Sequence, residues 1–247
     1  MSAYRFLLLA VSLCWVFLCA GRGNARALAA DRPLKILPVG NSLTYTNSLS
    51  APLTSFASAA SQPRPWRVIE QAMQNAKLSQ MFELGTTEYL LKDEPWDFIV
   101  LQEHGAVPTI YPEGLFSAAR KFDEVAKTIG AKVILFENWR GNPTKQAKTT
   151  EVFAKLGREL GAKVAPVGQA WQLVHEQDPS LQLLESDGVH PSPIGSYVAA
   201  CAIYMTIADA GACPSVLYGS IDEHVSSVAR DASQRAVANT RKAMQSH

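Results

Sequence analysis

Cysteine is scarce, four in 247 residues, and Cys14 and Cys19 both fall within the first twenty. No zinc-type spacing joins any of them, so a structural metal is not what holds this fold. Long blocks of lysine or arginine are absent too, which removes the basic surface that nucleic acid requires. There is no internal repeat, low-complexity tract or linker, so the chain reads as one compact domain.

What is present begins with a segment that does not belong to the fold. Met1–Arg5 carries one positive charge, Phe6–Ala20 is almost wholly apolar, and Ala27-Leu28-Ala29 offers small residues at cleavage spacing. This is the layout of a secretory signal peptide over residues 1–30, and it predicts a secreted or periplasmic protein. The apolar stretch is shorter than the roughly 20 residues that span a bilayer, so no stable membrane insertion is expected after its removal. Cys19 lacks the small preceding residue of a lipoprotein site. Residues 31–247 then form the single predicted domain, with 20 basic against 22 acidic side chains. Cys201 and Cys213 remain; an oxidising compartment permits a disulfide, but a long helix ending between them could hold them beyond the 7 Å limit.

Short apolar runs alternate with longer amphipathic ones. Strands are expected at Lys35–Val39, Arg67–Gln71, Phe98–Gln102, Lys132–Phe136 and Lys163–Val167. Helices are expected near Leu49–Ser61, Lys77–Leu91, Glu113–Ile129 and Thr144–Leu160, then from Pro193 to about Ala210 and over Asp222–Met244. The alternation implies a five-stranded parallel sheet with helices on both faces, since parallel neighbours need a crossover.

Two short motifs carry chemistry. Gly40-Asn41-Ser42-Leu43-Thr44 follows the first strand, where an open α/β sheet places its ligands, and Ser42 there is a candidate nucleophile. Asp187-Gly188-Val189-His190 puts a carboxylate three residues before an imidazole, close enough to fix its tautomer. Taken singly, Ser42 would be a helix cap and Asp187 with His190 a turn with a surface ion pair; at matched fold positions they make a Ser-His-Asp set.

The two motifs resemble the first and last blocks of the SGNH (GDSL-type) hydrolases, a family of esterases with a flavodoxin-like three-layer α/β/α fold. The resemblance spans essentially the whole predicted domain. Asn41 stands where an aspartate is usual, and Asp187-Gly188-Val189-His190-Pro191 is the more specific string. By resemblance, Ser42 is the nucleophile, His190 the base and Asp187 its orienting acid. The second and third blocks depart from pattern. Gln74-Asn75-Ala76 replaces the usual glycine region, leaving the Asn75 backbone N–H as an oxyanion donor, and Asn tolerates a left-handed backbone better than most residues. Gln102-Glu103-His104-Gly105 replaces Gly-x-Asn-Asp, aligning His104 with the asparagine and leaving Gln102 as the alternative donor beside the N–H of Ser42 itself. It is closest to a divergent branch with Leu-Gln-Glu at this point. Glu103 reads as a structural carboxylate, and His175, His224 and His247 have no evident partners.

Trp139, Arg140, Tyr45 and Tyr111 fall in loops on the rim that carries Ser42 and are candidate substrate contacts; Trp66, Trp96 and Trp171 read as packing. The function implied is a serine esterase cleaving small acyl esters, acetyl groups on carbohydrate by family analogy, through an acyl-enzyme and with no metal or organic cofactor. Acyl transfer to a sugar hydroxyl uses the same residues, and a carbohydrate-binding or structural protein with a weakened site is the reading from another class.

Overall fold

The computed structural model describes residues 32–245; the segment read as a signal peptide, and His247, lie outside them. The strands are β1 (Leu34–Gly40), β2 (Trp66–Val68), β3 (Gln71–Ala72), β4 (Phe98–Gln102), β5 (Lys132–Phe136) and β6 (Lys163–Ala165). All pairings are parallel, in the order β2-β1-β4-β5-β6, and β3 continues the place of β2 beside the far end of β1. The sheet thus has five positions, as expected, with the edge position, second in chain order, broken into β2 and β3. The break falls at Ile69-Glu70, and the Glu70 carboxylate there accepts hydrogen bonds from the Ser48 hydroxyl (2.9 Å) and the Ser50 N–H (2.8 Å).

The helices are α1 (Ser42–Tyr45), α2 (Ser50–Ala59), α3 (Leu78–Glu83), α4 (Thr86–Asp93), α5 (Val107–Ile110), α6 (Pro112–Ile129), α7 (Pro143–Leu160), α8 (Val167–Gln177), α9 (Pro193–Ala208) and α10 (Glu223–Gln245). The single helix expected over Lys77–Leu91 is two, because Gly85 at φ 65° breaks the path between α3 and α4. The sequence reading passed over α8, although Val167, Ala170, Trp171 and Val174, all buried, repeat at helical spacing.

Period-two alternation sends successive strand side chains to two cores. Ile36, Val100, Ile134 and Phe136 face α2, α8, α9 and α10, whereas Leu37, Val39, Ile99, Leu101, Val133 and Leu135 face α3, α6 and α7. α9 is buried without interruption from Gly195 to Ile207. Such all-round apolarity suits a helix sealed between sheet and outer layer, here under α10. Ser192 caps it by accepting from the Gly195 N–H (3.1 Å), with Pro193 in its first turn. Cys201 on α9 and Cys213 beyond its end are buried free thiols, with no disulfide between them.

Candidate active site

The turn that bears Ser42, the candidate nucleophile, is built on a close approach. Gln102, at the end of β4, reaches across to β1, and a Cβ on Gly40 would lie 2.5 Å from its Oε1 and from Thr44 Oγ1. Only glycine leaves that room. The Gln102 oxygen accepts from the Asn41 N–H (2.9 Å) and the Thr44 hydroxyl (3.0 Å), and its amide donates to the Glu103 carbonyl. Asn41, not Ser42, caps α1: its Oδ1 accepts from the Leu43 N–H (3.1 Å), and its Nδ2 donates to the Ala76 carbonyl (3.0 Å). An aspartate at 41 would set a carboxylate against that carbonyl, which explains the asparagine.

Ser42 is left unengaged by this bracing. It is 7% exposed, and its hydroxyl makes no hydrogen bond among the described residues. Of the N–H groups from Asn41 to Thr46, the one on Ser42 alone has no protein acceptor there.

The second motif is a self-contained loop. Leu184 bridges Pro191, and the Glu185 N–H donates to the His190 carbonyl (2.8 Å), closing the ends. Inside, Asp187 Oδ1 accepts from the N–H groups of Val189 (2.8 Å) and His190 (3.0 Å), while Oδ2 lies 2.6 Å from His190 Nδ1. The imidazole bond first, then those two backbone bonds, hold the Asp187 carboxyl down at about 2. Asp187 is therefore a carboxylate at any working pH, and it fixes Nδ1 as the protonated nitrogen and Nε2 as the free base.

Asn47 joins the two motifs. At φ 61° it leaves α1 in the left-handed region, and its amide donates to the Pro191 carbonyl (2.8 Å) and Ser196 Oγ (3.3 Å). Ser196 Oγ in turn donates to the Thr46 carbonyl (3.3 Å). The residues just after the serine are thus stitched to those just after the histidine. No hydrogen bond links Ser42 Oγ to His190 among the described residues.

No family model matches the chain, and no curated relative does. Among solved structures, 71% of the chain is similar to the whole of a candidate SGNH hydrolase from Slackia heliotrinireducens, at 26% identity and a TM-score of 0.62. A DUF4886 family protein from Bacteroides uniformis matches 83% of the chain over 95% of its own length, at 19% identity and TM-score 0.63. Axe2, an acetylxylan esterase from Geobacillus stearothermophilus, matches 72% over 95% of its own length, at 17% identity and TM-score 0.57. The chain has the SGNH hydrolase fold.

Within that SGNH frame the two divergent blocks sit on either side of Ser42. Asn75 takes φ 56°, and its N–H has no acceptor among the described residues. Glu103 is buried, and its Oε1 accepts from the N–H groups of Leu78 (3.2 Å) and His104 (2.6 Å), tying the stretch after Asn75 to the His104 loop. Burial raises its pKa. His104 is half-buried, its ring without a hydrogen bond among the described residues. Gln102, by contrast, is 1% exposed, and its amide serves the nucleophile turn and Glu103 rather than the cleft. Tyr45 and Tyr111 are exposed on the loops after β1 and β4. Trp139 is half-buried and stacks on buried Trp171 (4.1 Å between centroids, 10° between planes), while Trp66 and Trp96 are core. His224, read from sequence as partnerless, lies 2.7 Å from Asp178 Oδ2, a hydrogen bond joining the end of α8 to the start of α10.

Sequence reasoning also missed Glu137, fully buried just past β5. Its carboxylate accepts from Gln146 (2.6 Å), Thr150 (2.9 Å) and Gln169 (2.7 Å), and no cation reaches it among the described residues. Burial outweighs those bonds and pushes it up to about 7. Its bonding partner Gln146 accepts from the Arg140 N–H (2.8 Å), so the cluster braces the loop bearing Trp139 and Arg140. Among the described residues no His, Cys, Asp and Glu group could hold a metal.

Proposed function

We propose that the protein is an exported serine esterase that removes small acyl groups, acetyl foremost, from carbohydrate. The observation that carries this is an unengaged serine on a braced turn, stitched through Asn47 to a loop whose carboxylate holds the imidazole by its Nδ1. Ser42 Oγ attacks the ester carbonyl as His190 Nε2 takes its proton. The oxyanion is met by the N–H groups of Ser42 and Asn75 and by the His104 ring, and collapse of the intermediate expels the sugar hydroxyl, protonated by His190. Water activated by His190 then frees the acid and restores Ser42. The sugar assignment draws on the acetylxylan esterase among the structural neighbours, and export on the layout of residues 1–30.

The test is labelling with a fluorophosphonate together with release of acetate from acetylated xylan and 4-nitrophenyl acetate. Labelling and both activities are expected in the natural protein and absent from Ser42→Ala, which keeps its melting temperature because a small unbonded hydroxyl contributes little packing. Labelling that persists in Ser42→Ala overturns the nucleophile; labelling of Ser42 without acetate release from either ester overturns the acetyl-ester substrate.

A further inference from the structure

Beside the catalytic loop lies a cavity of about 310 Å³ that the reaction above does not use. Its walls are the loop after β5, with Trp139 and Arg140, the outer turns of α8, with Trp171, Gln172 and His175, and the segment Pro179–Leu184. That last wall runs directly into the catalytic loop: Leu184 bridges Pro191, and the Leu183 carbonyl accepts from the Ser192 N–H (2.9 Å). Bridged backbones lie about 5 Å apart, so one wall of the cavity is the immediate neighbour of the chain leaving His190.

The lining has a distinct chemistry. Trp171 is anchored, its Nε1 donating to the Gly195 carbonyl (3.1 Å), and it forms the underlay on which the indole of Trp139 is stacked. Arg140 has no carboxylate partner among the described residues, and its Nε is buried without a hydrogen bond. The terminal nitrogens of the same guanidinium also make no hydrogen bond among the described residues but are not closed off, so they are free to donate to ligand oxygens. Gln172, His175 and Gln182 add further donors and acceptors around the cavity. Leu181, Leu183 and Leu184 give the cavity an apolar side as well, and the polar groups facing them set it apart from a purely hydrocarbon slot for an acyl chain. An aromatic platform ringed by planar hydrogen-bonding groups matches a pyranose, whose C–H face lies on an indole while its hydroxyls point outward. The platform is also held in advance, through the Gln146 bond to the Arg140 N–H and the Glu137 bond beneath it.

We propose that this cavity binds a sugar residue of the polymer next to the acylated one, with Trp139 as its platform and Arg140 as donor to its oxygens. This rests on the carbohydrate-esterase reading and extends it from an ester to a chain. The probes are unacylated xylohexaose, mannohexaose and hexagalacturonate, titrated into the natural protein by tryptophan fluorescence and calorimetry. Because no ester is present, binding is scored separately from catalysis.

At least one probe is expected to bind with a sub-millimolar Kd, weakened about tenfold or more by Arg140→Gln and by Trp139→Ala. Should Trp139→Ala lower the melting temperature, Arg140→Gln and Gln172→Ala, which leave the indole stack in place, decide the matter. Binding of none of the three, or binding unchanged in Arg140→Gln, overturns the subsite. If Ser42 still labels and releases acetate in that case, the esterase reading stands and only the subsite falls.

Discussion

The two halves of the candidate site are built on opposite plans. The nucleophile turn is buried and braced from outside: Gln102 of β4 and the Ala76 carbonyl hold Asn41 and Thr44, and the Gly40 backbone lies against the glutamine. The base loop is exposed and braced from within, nearly every bond running between Glu185 and His190. The bracing from other elements thus goes to the turn bearing Ser42, while the imidazole rides on a small self-bonded loop linked to that turn through Asn47 and Ser196.

The largest effect should come from disrupting the base loop at its carboxylate. Asp187→Asn leaves the turn intact but can stabilise the wrong imidazole tautomer, so kcat should drop by about 10⁴-fold with the fold kept. A rate within a few-fold of the natural enzyme would show that something else orients His190. Since Asp187 stays ionised down to about pH 2, an acid limb in kcat/KM near neutrality would not be its own.

Next come the two neighbours at the end of β4, which the contrast separates. His104→Ala should lower kcat by about 10²–10³-fold with little change in KM or melting temperature, as loss of one oxyanion donor does. Gln102→Ala should instead lower stability by about 2–4 kcal/mol, because it orphans the buried Asn41 N–H and the Thr44 hydroxyl together. Denaturant melts beside steady-state kinetics distinguish the two, and a His104→Ala enzyme of normal kcat removes the ring from the oxyanion site.

Glu137 gives a reference for damage that touches neither half. Its pKa is raised on folding, so the native state binds the extra proton and the sign is the reverse of a salt-bridged carboxylate. Its contribution is fully present below about pH 4.5 and lost as pH climbs to about 7, a swing on the order of 3 kcal/mol. Glu137→Gln has no such proton to lose. Melting curves should therefore show the natural protein losing stability relative to this variant between pH 5 and pH 7. Parallel pH curves for the two proteins would refute the shift. The smallest effect is expected at the link itself. Asn47→Gly suits the left-handed backbone while deleting the bond to Pro191, and kcat/KM should fall by about tenfold with the melting temperature nearly kept. An unaltered rate would mean the base loop finds its place without the link.

The layered sheet and the Asp-Gly-Val-His loop were readable because both are local: strand alternation has a period of two, and the loop closes within six residues. What escaped was non-local. Gln102 stood as an alternative donor and more simply as a buried hydrogen-bonding residue at the strand end, and only the packing against Gly40, 62 residues earlier, shows which groups its amide serves. Glu137 is unremarkable in sequence, since nothing there says that Gln146, Thr150 and Gln169 converge on it. Asn47 and Pro191 are 144 residues apart, with no pattern to pair them. α8 is the exception: its apolar spacing was visible, and the short run before it was read as strand through Val167.

The broken second strand has a consequence for the protein among copies of itself. Its two pieces, β2 and β3, form one margin of the sheet and offer three residues and two; β6, at the other margin, offers three and begins with a lysine paired to Asp209. A foreign strand needs a longer uninterrupted row of free N–H and C=O groups to dock against, so neither margin is a useful template for edge-to-edge growth. The interruption that lets Glu70 hold the start of α2 thereby also guards against aggregation.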